Sequence, residues 1–247
     1  MSDYIIGGWT QYTNKPAPET FSYVMYGMIT NLEGLTSGTP SSPGWSPAST
    51  SPPPANGQVM WTYGGAGCTP PNMPTDDNMN AILDATFSQG WAGVDFDDEC
   101  SMNFPMLINT MGELKAQGKD TSYTFLAGWD YNNPSPGSPG EATNLAVREI
   151  AAAGVADRMV LMCYADEMWS MPDIVANVGP AIQRTIDHGV PPQQVILALT
   201  PAGLNDENLN YFLDQVISNQ IGGLFIWEFP NLDPNDLALI EERLGIV

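Results

Sequence analysis

The chain has 247 residues, of which 43% are hydrophobic, and its 7 Lys and Arg against 28 Asp and Glu give a formal net charge of −21. This length and apolar content suffice for one large domain with its own core and argue against disorder. Nucleic acid is a poor candidate partner, because a protein that follows a phosphate backbone needs many cations. The single histidine, His188, disfavours His-rich metal sites and a Ser-His-Asp triad.

Targeting and redox features of the sequence are sparse. No apolar run reaches the roughly 18 residues that a membrane-spanning helix requires, so we expect no membrane partner. The first residues, MSDYIIGGW, have no charged stretch followed by an apolar core, and no signal peptide is visible. The three cysteines do not form a disulfide framework. A bridge between Cys68 and Cys100, which follow adjacent predicted strands, is a hypothesis that leaves Cys163 free.

Short apolar runs alternate with stretches of helical period along the chain. The runs predict eight strands, each short and rich in β-branched, aromatic, Met or Leu residues: Tyr4–Trp9, Tyr23–Ile29, Gln58–Tyr63, Gly93–Asp97, Tyr123–Trp129, Met159–Tyr164, Val195–Leu199 and Gly223–Trp227. The stretches between the later strands predict helices at Asp76–Gln89, Phe104–Ala116, Glu141–Ala153, Pro172–His188, Asn205–Asn219 and Pro234–Leu244. Glycines at or beyond five of the helix ends, at 90, 118, 154, 189 and 245, are typical of C-caps.

Eight strands with interleaved helices predict a single α/β domain, a (β/α)₈ TIM barrel over residues 1–247. A doubly wound open sheet is the alternative, but a Gly-rich phosphate-binding turn after the first strand is missing. Residues 35–56, between the second and third strands, are dominated by Pro, Ser, Gly and Thr. We therefore expect an irregular loop there instead of a helix.

The densest acidic cluster of the chain is GWAGVDFDDE, residues 90–99. Because side chains alternate along a strand, Asp95, Asp97 and Glu99 share one face. In a barrel, that face leads to the C-terminal mouth, where active sites are found. Repulsion by Asp97 would raise the pKa of Glu99, as a general acid requires. A cation site or a solvated acidic edge is the alternative interpretation.

The cluster and four other segments resemble the family-18 glycoside hydrolases, the chitinases and their relatives. AGVDFDDE matches the family's DxxDxDxE at its last three acidic positions. The other segments follow in the family's order: VMYGM at 24–28 is similar to its second strand, TYGG at 62–65 to SxGG, MCY at 162–164 to MxY, and IGGLFIWE at 221–228 to its last strand. The departures are Ala92 at the first Asp of the motif, Asp98 before Glu99, and Ala165 after Tyr164.

The resemblance implies substrate-assisted retaining hydrolysis, in which the sugar's N-acetyl oxygen is the nucleophile. Glu99 would protonate the glycosidic oxygen and later activate water. Asp97 would orient the acetamido group, and Asp95 would hold Asp97. Tyr164 would donate a hydrogen bond to the acetamido oxygen, and Trp227 would form the floor beneath the sugar. Further expected substrate contacts are Tyr26, Met162, Gly64, Gly65, Trp129 and Asp130, and Trp9, Trp45 and Trp169 are either sugar platforms or packing residues.

These features predict a monomeric chitinase that cleaves β-1,4-linked N-acetylglucosamine polymers internally and needs no metal or cofactor. The expectation of internal cleavage rests on the short connection between the last two strands, which leaves no room for an insertion that would deepen the groove. Two alternatives stay open: an endo-β-N-acetylglucosaminidase acting on N-glycans, and a catalytically silent sugar-binding protein. We expect an extracellular location, with a cytoplasmic one as the alternative.

Overall fold

A computed structural model describes residues 4–29, 44–66, 76–99 and 102–246. Eight parallel strands form a closed barrel in chain order, and β8 pairs with β1. The strands are β1 Ile5–Thr10, β2 Tyr23–Ile29, β3 Gln58–Gly64, β4 Gly93–Asp98, β5 Asp120–Leu126, β6 Arg158–Met162, β7 Val195–Leu199 and β8 Gly223–Trp227. The predicted TIM barrel is therefore confirmed.

Helices follow most of the strands and cover the outside of the barrel, as the sequence pattern predicts. Within the described ranges they are α1 Asp76–Gln89, α2 Phe104–Ala116, α3 Trp129–Asn132, α4 Pro139–Ala153, α5 Met171–Asp187, α6 Asp206–Asn219 and α7 Pro234–Leu244, with 3₁₀ turns at Pro192–Gln194 and Phe229–Asn231. The five glycines predicted as C-caps all have positive φ, between 64° and 98°. A residue with a Cβ rarely adopts that backbone conformation, so glycine suits these helix ends.

Two strands end two or three residues earlier than predicted. The fifth strand ends at Leu126 and not at Trp129, because the chain turns at Gly128 and Trp129 begins the short helix α3. A side chain at Gly128 would press on the ring of Trp169, 3.3 Å from the position of its Cβ. The sixth strand ends at Met162, and Tyr164 beyond it forms an isolated bridge with Met168.

Alternation along the strands separates two packed layers. The inner cluster fills the barrel and consists of Trp9, Met25, Met60, Val160, Met162, Ile196, Ala198 and Phe225. The outer cluster lies between strands and helices and includes Val94 and Phe96, the neighbours of the carboxyl-bearing positions on β4. Ala92, which alternation would direct outward, packs against the inner cluster, because β4 begins only at Gly93.

The described part of the connection before β3 has neither helix nor strand and docks on the outside of the barrel. Trp45 stacks on Trp91, with ring centroids 5.8 Å apart. The indole N–H of Trp91 donates in turn to the carbonyl oxygen of Pro47, at 3.0 Å. Residues 30–43 of the predicted loop, and both Cys68 and Cys100, lie outside the described residues, so their predicted structure and bridge stay predictions. Cys163 is buried and free.

No helix in the described ranges is both long and apolar enough to cross a bilayer.

Candidate active site

Asp95 lies at the base of the site, fully buried inside the barrel. Four side chains donate hydrogen bonds to it: Trp9 at 2.9 Å and Thr62 at 3.1 Å to Oδ2, and Ser122 at 2.6 Å and Thr124 at 2.7 Å to Oδ1. The register brings these donors together, because Thr62 and Ser122 are the partners of Asp95 on β3 and β5. Burial raises the pKa of Asp95, and the four hydrogen bonds oppose that rise.

Asp97, two residues further along β4, is equally buried, but neither of its carboxyl oxygens has a hydrogen-bond partner among the described residues. The register explains the difference. Its partner on β3 is Gly64, which has no side chain, and its partner on β5 is Thr124, whose hydroxyl donates to Asp95. A buried polar group without a partner is costly. Asp97 also lines the large cavity described below.

Glu99 follows the end of β4 and lines the same cavity, partly exposed. The backbone N–H of Ala66 hydrogen-bonds to its carboxyl group. The two glycines before Ala66 make this approach feasible. Both have positive φ, and a Cβ at Gly64 would collide with the carbonyl oxygen of Asp97. The N–H of Gly65 donates to that carbonyl at 2.8 Å, which ties the end of β3 to β4.

The carboxyl groups of Asp97 and Glu99 both have raised pKa values. Burial raises the pKa of Asp97 well above its usual value, and the charges of Glu99, Asp95 and Asp98 raise it further. Burial also raises the pKa of Glu99, as does the charge of Asp98, while the Ala66 hydrogen bond lowers it. The pair therefore retains protons at pH values where isolated carboxyl groups are ionised.

Tyr164 stands beside this pair at the end of β6. Burial raises the pKa of its phenol strongly, and the charges of Asp97, Glu99 and Asp95 add to the rise. The hydroxyl group is therefore a neutral hydrogen-bond donor across the physiological range. The sequence-based expectation that a phenol lies next to the carboxyl trio agrees with this placement.

The cavity has a volume of about 1010 Å³ and opens at the C-terminal ends of the strands. Of the residues predicted to form the site, it is lined by Asp97, Glu99, Met162, Tyr164, Trp227, Trp129 and Asp130. Trp227 also packs against the inner cluster, so its indole forms part of the cavity floor. Trp129 is 67% exposed at the start of α3 and lies at the outer rim.

Four predicted site residues do not line the cavity. Asp95 lies beneath it, and Gly64 and Gly65 act through the backbone. The position of Tyr26 differs from the prediction. Tyr26 is fully buried in the outer layer, and its hydroxyl donates to the carbonyl oxygen of Lys15 at 3.3 Å. Alternation along β2 directs Met25 into the barrel and Tyr26 away from it, so the predicted contact between Tyr26 and substrate is not supported by its position.

Sequence reasoning also missed several lining residues. Met28, on the inward face of β2, takes the place predicted for Tyr26. Gln11, Met102, Phe104 and Leu126 follow the ends of strands or end them, but their residue types carry no chemical signal that separates lining from packing. Of the three additional tryptophans considered, Trp169 lines the cavity, while Trp9 and Trp45 pack within the protein.

The charges of the cavity lining have a single sign. Asp97, Asp98, Glu99, Asp130 and Asp166 all line it, and the described lining includes no Lys, Arg or His. Nor do the described residues contain a group of three or more His, Cys, Asp or Glu side chains arranged to hold a metal ion. The arrangement suits the binding of a neutral or cationic molecule over an apolar floor, with proton transfer by the buried carboxyl pair.

Comparison with known proteins points to one fold. No protein-family model matches the chain, and no curated protein sequence matches it. Among solved structures, a fungal endo-β-N-acetylglucosaminidase of glycosyl hydrolase family 18 superposes with a TM-score of 0.64 at 16% identity, covering 98% of this chain and 96% of the other. The catalytic domain of a hyperthermophilic chitinase from Pyrococcus furiosus gives 0.62 at 14% identity, with the same coverages of 98% and 96%.

A third similar structure contains a sugar. It is a family-18 chitinase from Cycas revoluta in complex with (GlcNAc)4, with a TM-score of 0.60 at 11% identity over 98% of each chain. The superpositions extend over nearly the whole barrel, and the resemblance inferred from the sequence motifs is confirmed at the level of the fold. The chain has the fold of the family-18 glycoside hydrolases.

Proposed function

We propose that this protein is a glycoside hydrolase that cleaves the β-1,4 bond following an N-acetylglucosamine residue. The observation that carries the proposal is the pairing of Glu99 with Asp97, a buried carboxyl group whose oxygens have no partner in the described structure. The phenol of Tyr164 lies next to them. A protonated acid, an unpaired acceptor and a neutral donor at the floor of one cavity are the groups that substrate-assisted hydrolysis requires.

Each group has a defined role in this reaction. Glu99 donates its proton to the glycosidic oxygen as the bond to C1 breaks, and the acetamido oxygen of the same sugar attacks C1. Asp97 accepts a hydrogen bond from the acetamido N–H and stabilises the positive charge that develops on the ring so formed. Tyr164 donates to the acetamido oxygen, and Glu99 then removes a proton from the water that opens the ring. The indole of Trp227 packs against the apolar face of the sugar.

Asp95 supports this chemistry from below. Its oxygens accept four hydrogen bonds, so it fixes the strands on both sides of β4 without offering an acceptor to Asp97. Asp97 is thereby left to pair with the substrate. The negative charge of Asp95 also raises the pKa of Asp97, which favours a protonated Asp97 before substrate binds.

Chitin and its oligomers are the substrate that we favour, cut internally. The cavity is broad, and its lining includes small residues from the first half of α4, namely Gly140, Ala142 and Ala146. A wide cleft accepts a chain that continues in both directions. It also accepts a branched glycan, so an endo-β-N-acetylglucosaminidase acting on N-glycans is the second candidate. A silent sugar-binding protein is disfavoured by the presence of Glu99.

We further propose that the protein acts as a monomer outside the cell, on carbohydrate alone.

A substrate panel tests the proposal. The wild-type protein is incubated with N-acetylglucosamine oligomers of four to six units and with a high-mannose glycoprotein, and the products are identified by mass spectrometry. Internal cleavage of the oligomers supports the chitinase, whereas release of the glycan with one N-acetylglucosamine left on the protein supports the second candidate. Binding of either substrate without cleavage contradicts the assignment as a hydrolase.

A further inference from the structure

The carboxylate of Asp98, between Asp97 and Glu99 in the sequence, is held outside the barrel interior. Its Oδ2 accepts a hydrogen bond of 2.7 Å from the hydroxyl of Tyr123, and its Oδ1 accepts one of 2.8 Å from the backbone N–H of Met102. Tyr123 is fully buried in the outer layer and stacks on Phe125, with ring centroids 5.6 Å apart. The side chain of Asp98 is thus fixed to a rigid part of β5.

The hydrogen bond between Asp98 and Met102 spans Glu99 along the chain. Asp98 precedes Glu99 directly, and Met102 stands just before Asn103, the N-cap of α2. The side chain of Asn103 accepts a hydrogen bond from the N–H of Met106, which fixes the start of that helix. Asp98 therefore connects the end of β4 to the start of α2, and the backbone that bears the carboxyl group of Glu99 is anchored at both ends. Asn or Asp side chains commonly stabilise such short connections.

The charge of Asp98 is not neutralised by its partners. Burial and the neighbouring carboxylate raise the pKa of Tyr123 well above its usual value, so its phenol stays neutral. No ion pair to Asp98 is found in the described ranges. Its charge is therefore exerted on the adjacent carboxyl groups, and it raises the pKa of both Asp97 and Glu99.

Several other polar groups face Glu99. From β4 it is faced by Asp97 and Asp98, from the end of β3 by the N–H of Ala66, and from the end of β6 by Tyr164. Asp130 and Asp166 line the cavity further along the barrel mouth, and among the described lining residues there is no cation. Among these groups, Asp98 is the carboxylate that acts on Glu99 while each of its own oxygens accepts a hydrogen bond from the protein.

We propose that Asp98 is a positioning residue for Glu99: through Tyr123 and Met102 it fixes the backbone of the general acid, and it places a carboxylate without an ion-pair partner in the described ranges next to that acid. This inference rests on the proposed role of Glu99. It assigns a function to a position at which the sequence departs from the family pattern.

The electrostatic part is tested by a titration that does not depend on turnover. The side-chain carboxyl carbons of Glu are labelled with ¹³C, and the Glu99 resonance is assigned by its absence in Glu99→Gln. Asp98→Asn keeps the shape but removes the charge: its amide oxygen can still accept from the N–H of Met102, while its NH2 group donates to the hydroxyl of Tyr123, so that the direction of this second bond is reversed. We expect the titration midpoint of Glu99 to fall by about 0.5–1 pH unit in Asp98→Asn. The control Asp166→Asn removes another carboxylate from the cavity lining and should leave the midpoint within about 0.2 unit.

The positioning part is tested by activity against pH on an N-acetylglucosamine oligomer. The basic limb of kcat/KM should move to lower pH in Asp98→Asn. Tyr123→Phe retains the charge but loses one hydrogen bond, so we expect kcat to fall about 3- to 10-fold while the basic limb stays nearer its wild-type position. Tyr123→Phe also serves if Asp98→Asn does not fold.

An unchanged Glu99 midpoint in Asp98→Asn, or wild-type kcat in Tyr123→Phe, overturns the corresponding half of the inference. If the midpoint moves but the wild-type protein cleaves neither substrate of the panel, the coupling between Asp98 and Glu99 stands and the proposed function fails. The two failures are therefore distinguishable.

Discussion

Asp95 and Asp97 lie on the same face of β4, both fully buried, yet Asp95 accepts four hydrogen bonds and Asp97 accepts none from the described residues. The contrast comes from the neighbouring strands. Three hydroxyl groups and one indole converge on Asp95, whereas the partner of Asp97 on β3 is Gly64, which has no side chain to donate a hydrogen bond. The first carboxyl group connects the strands around it, and the second has no hydrogen-bond partner in the described part of the chain.

The first prediction concerns stability. Asp95→Ala should lower the free energy of unfolding by roughly 3 kcal/mol or more, because it leaves four buried donors unsatisfied at about 1 kcal/mol or more each. Asp97→Ala removes a group of similar volume without depriving any donor of its partner, and we expect a loss below about 1 kcal/mol at pH 7. Urea unfolding of the two variants against wild type makes the comparison. Equal destabilisation by both substitutions would contradict the difference in hydrogen bonding described here.

The second prediction concerns the dependence of stability on pH. The pKa of Asp97 is raised in the folded protein above its ordinary value of 3.8. Between those two pKa values the folded state binds more protons than the unfolded state, so stability falls as the pH rises. Asp97→Asn has no proton to lose, and its melting temperature should decline less steeply from pH 4 upward than that of wild type.

Melting curves at several pH values between 4 and 9 measure this slope. The slope of melting temperature against pH must be compared between wild type and Asp97→Asn, because the net charge of −21 destabilises both folded proteins at high pH. Asp166→Asn, which removes a carboxyl group from the exposed side of the cavity, serves as the control and should retain the wild-type slope. Identical slopes for wild type and Asp97→Asn would show that Asp97 titrates normally in the folded protein.

The third prediction concerns the charge of the substrate. Since the described cavity lining contains five carboxyl groups and no cation, an anionic oligosaccharide should bind at least about 10-fold more weakly than a neutral one of equal length at low salt. The discrimination should shrink as salt is added, because ions screen exposed charges. Titration calorimetry with neutral and carboxylated oligomers at two salt concentrations tests this. Equal affinities at low salt would argue against binding in this cavity.

The fourth prediction concerns the rim. Trp129 is 67% exposed and lines the cavity at the start of α3, beside Leu126 and Trp169. Trp129→Ala should raise KM about 10-fold for long oligomers and affect short ones less, because only long chains reach the rim. Trp129→Phe keeps an aromatic face and should retain most of the affinity. A uniform loss for all chain lengths would place Trp129 next to the cleaved bond instead.

The sequence permitted the prediction of the barrel and of the carboxyl series, because both follow from periodicity. Alternation places Asp95 and Asp97 on the inner face of β4, and the strand end places Glu99 at the mouth. The same rule, applied to β2, would have directed Tyr26 outward, as observed, but it would have directed Met28 outward as well. Met28 faces inward because the register of β2 shifts between Tyr26 and Ile29. The match of residues 24–28 to a family motif suggested that Tyr26 contacts substrate, but the position of Tyr26 in the outer layer does not support that contact.

Other features depend on contacts between strands and could not be predicted from one strand at a time. Whether Asp97 has a partner is decided by Gly64 on β3 and Thr124 on β5, which meet it only through the register of the closed barrel. The two hydrogen bonds of Asp98 depend on Tyr123 and on the start of α2 in the same way. Trp129 was expected at a strand end and lies in a short helix, because one glycine turns the chain before it.

The proposed active site is tested most directly by comparing wild type with Glu99→Gln on an N-acetylglucosamine oligomer, with turnover and binding measured on the same preparations. The amide keeps the shape of the side chain but has no proton to donate. We predict a fall in kcat of at least about 100-fold with the dissociation constant changed less than about 3-fold. Hydrolysis by Glu99→Gln at the wild-type rate would contradict the account, because the cleavage would then proceed without its general acid.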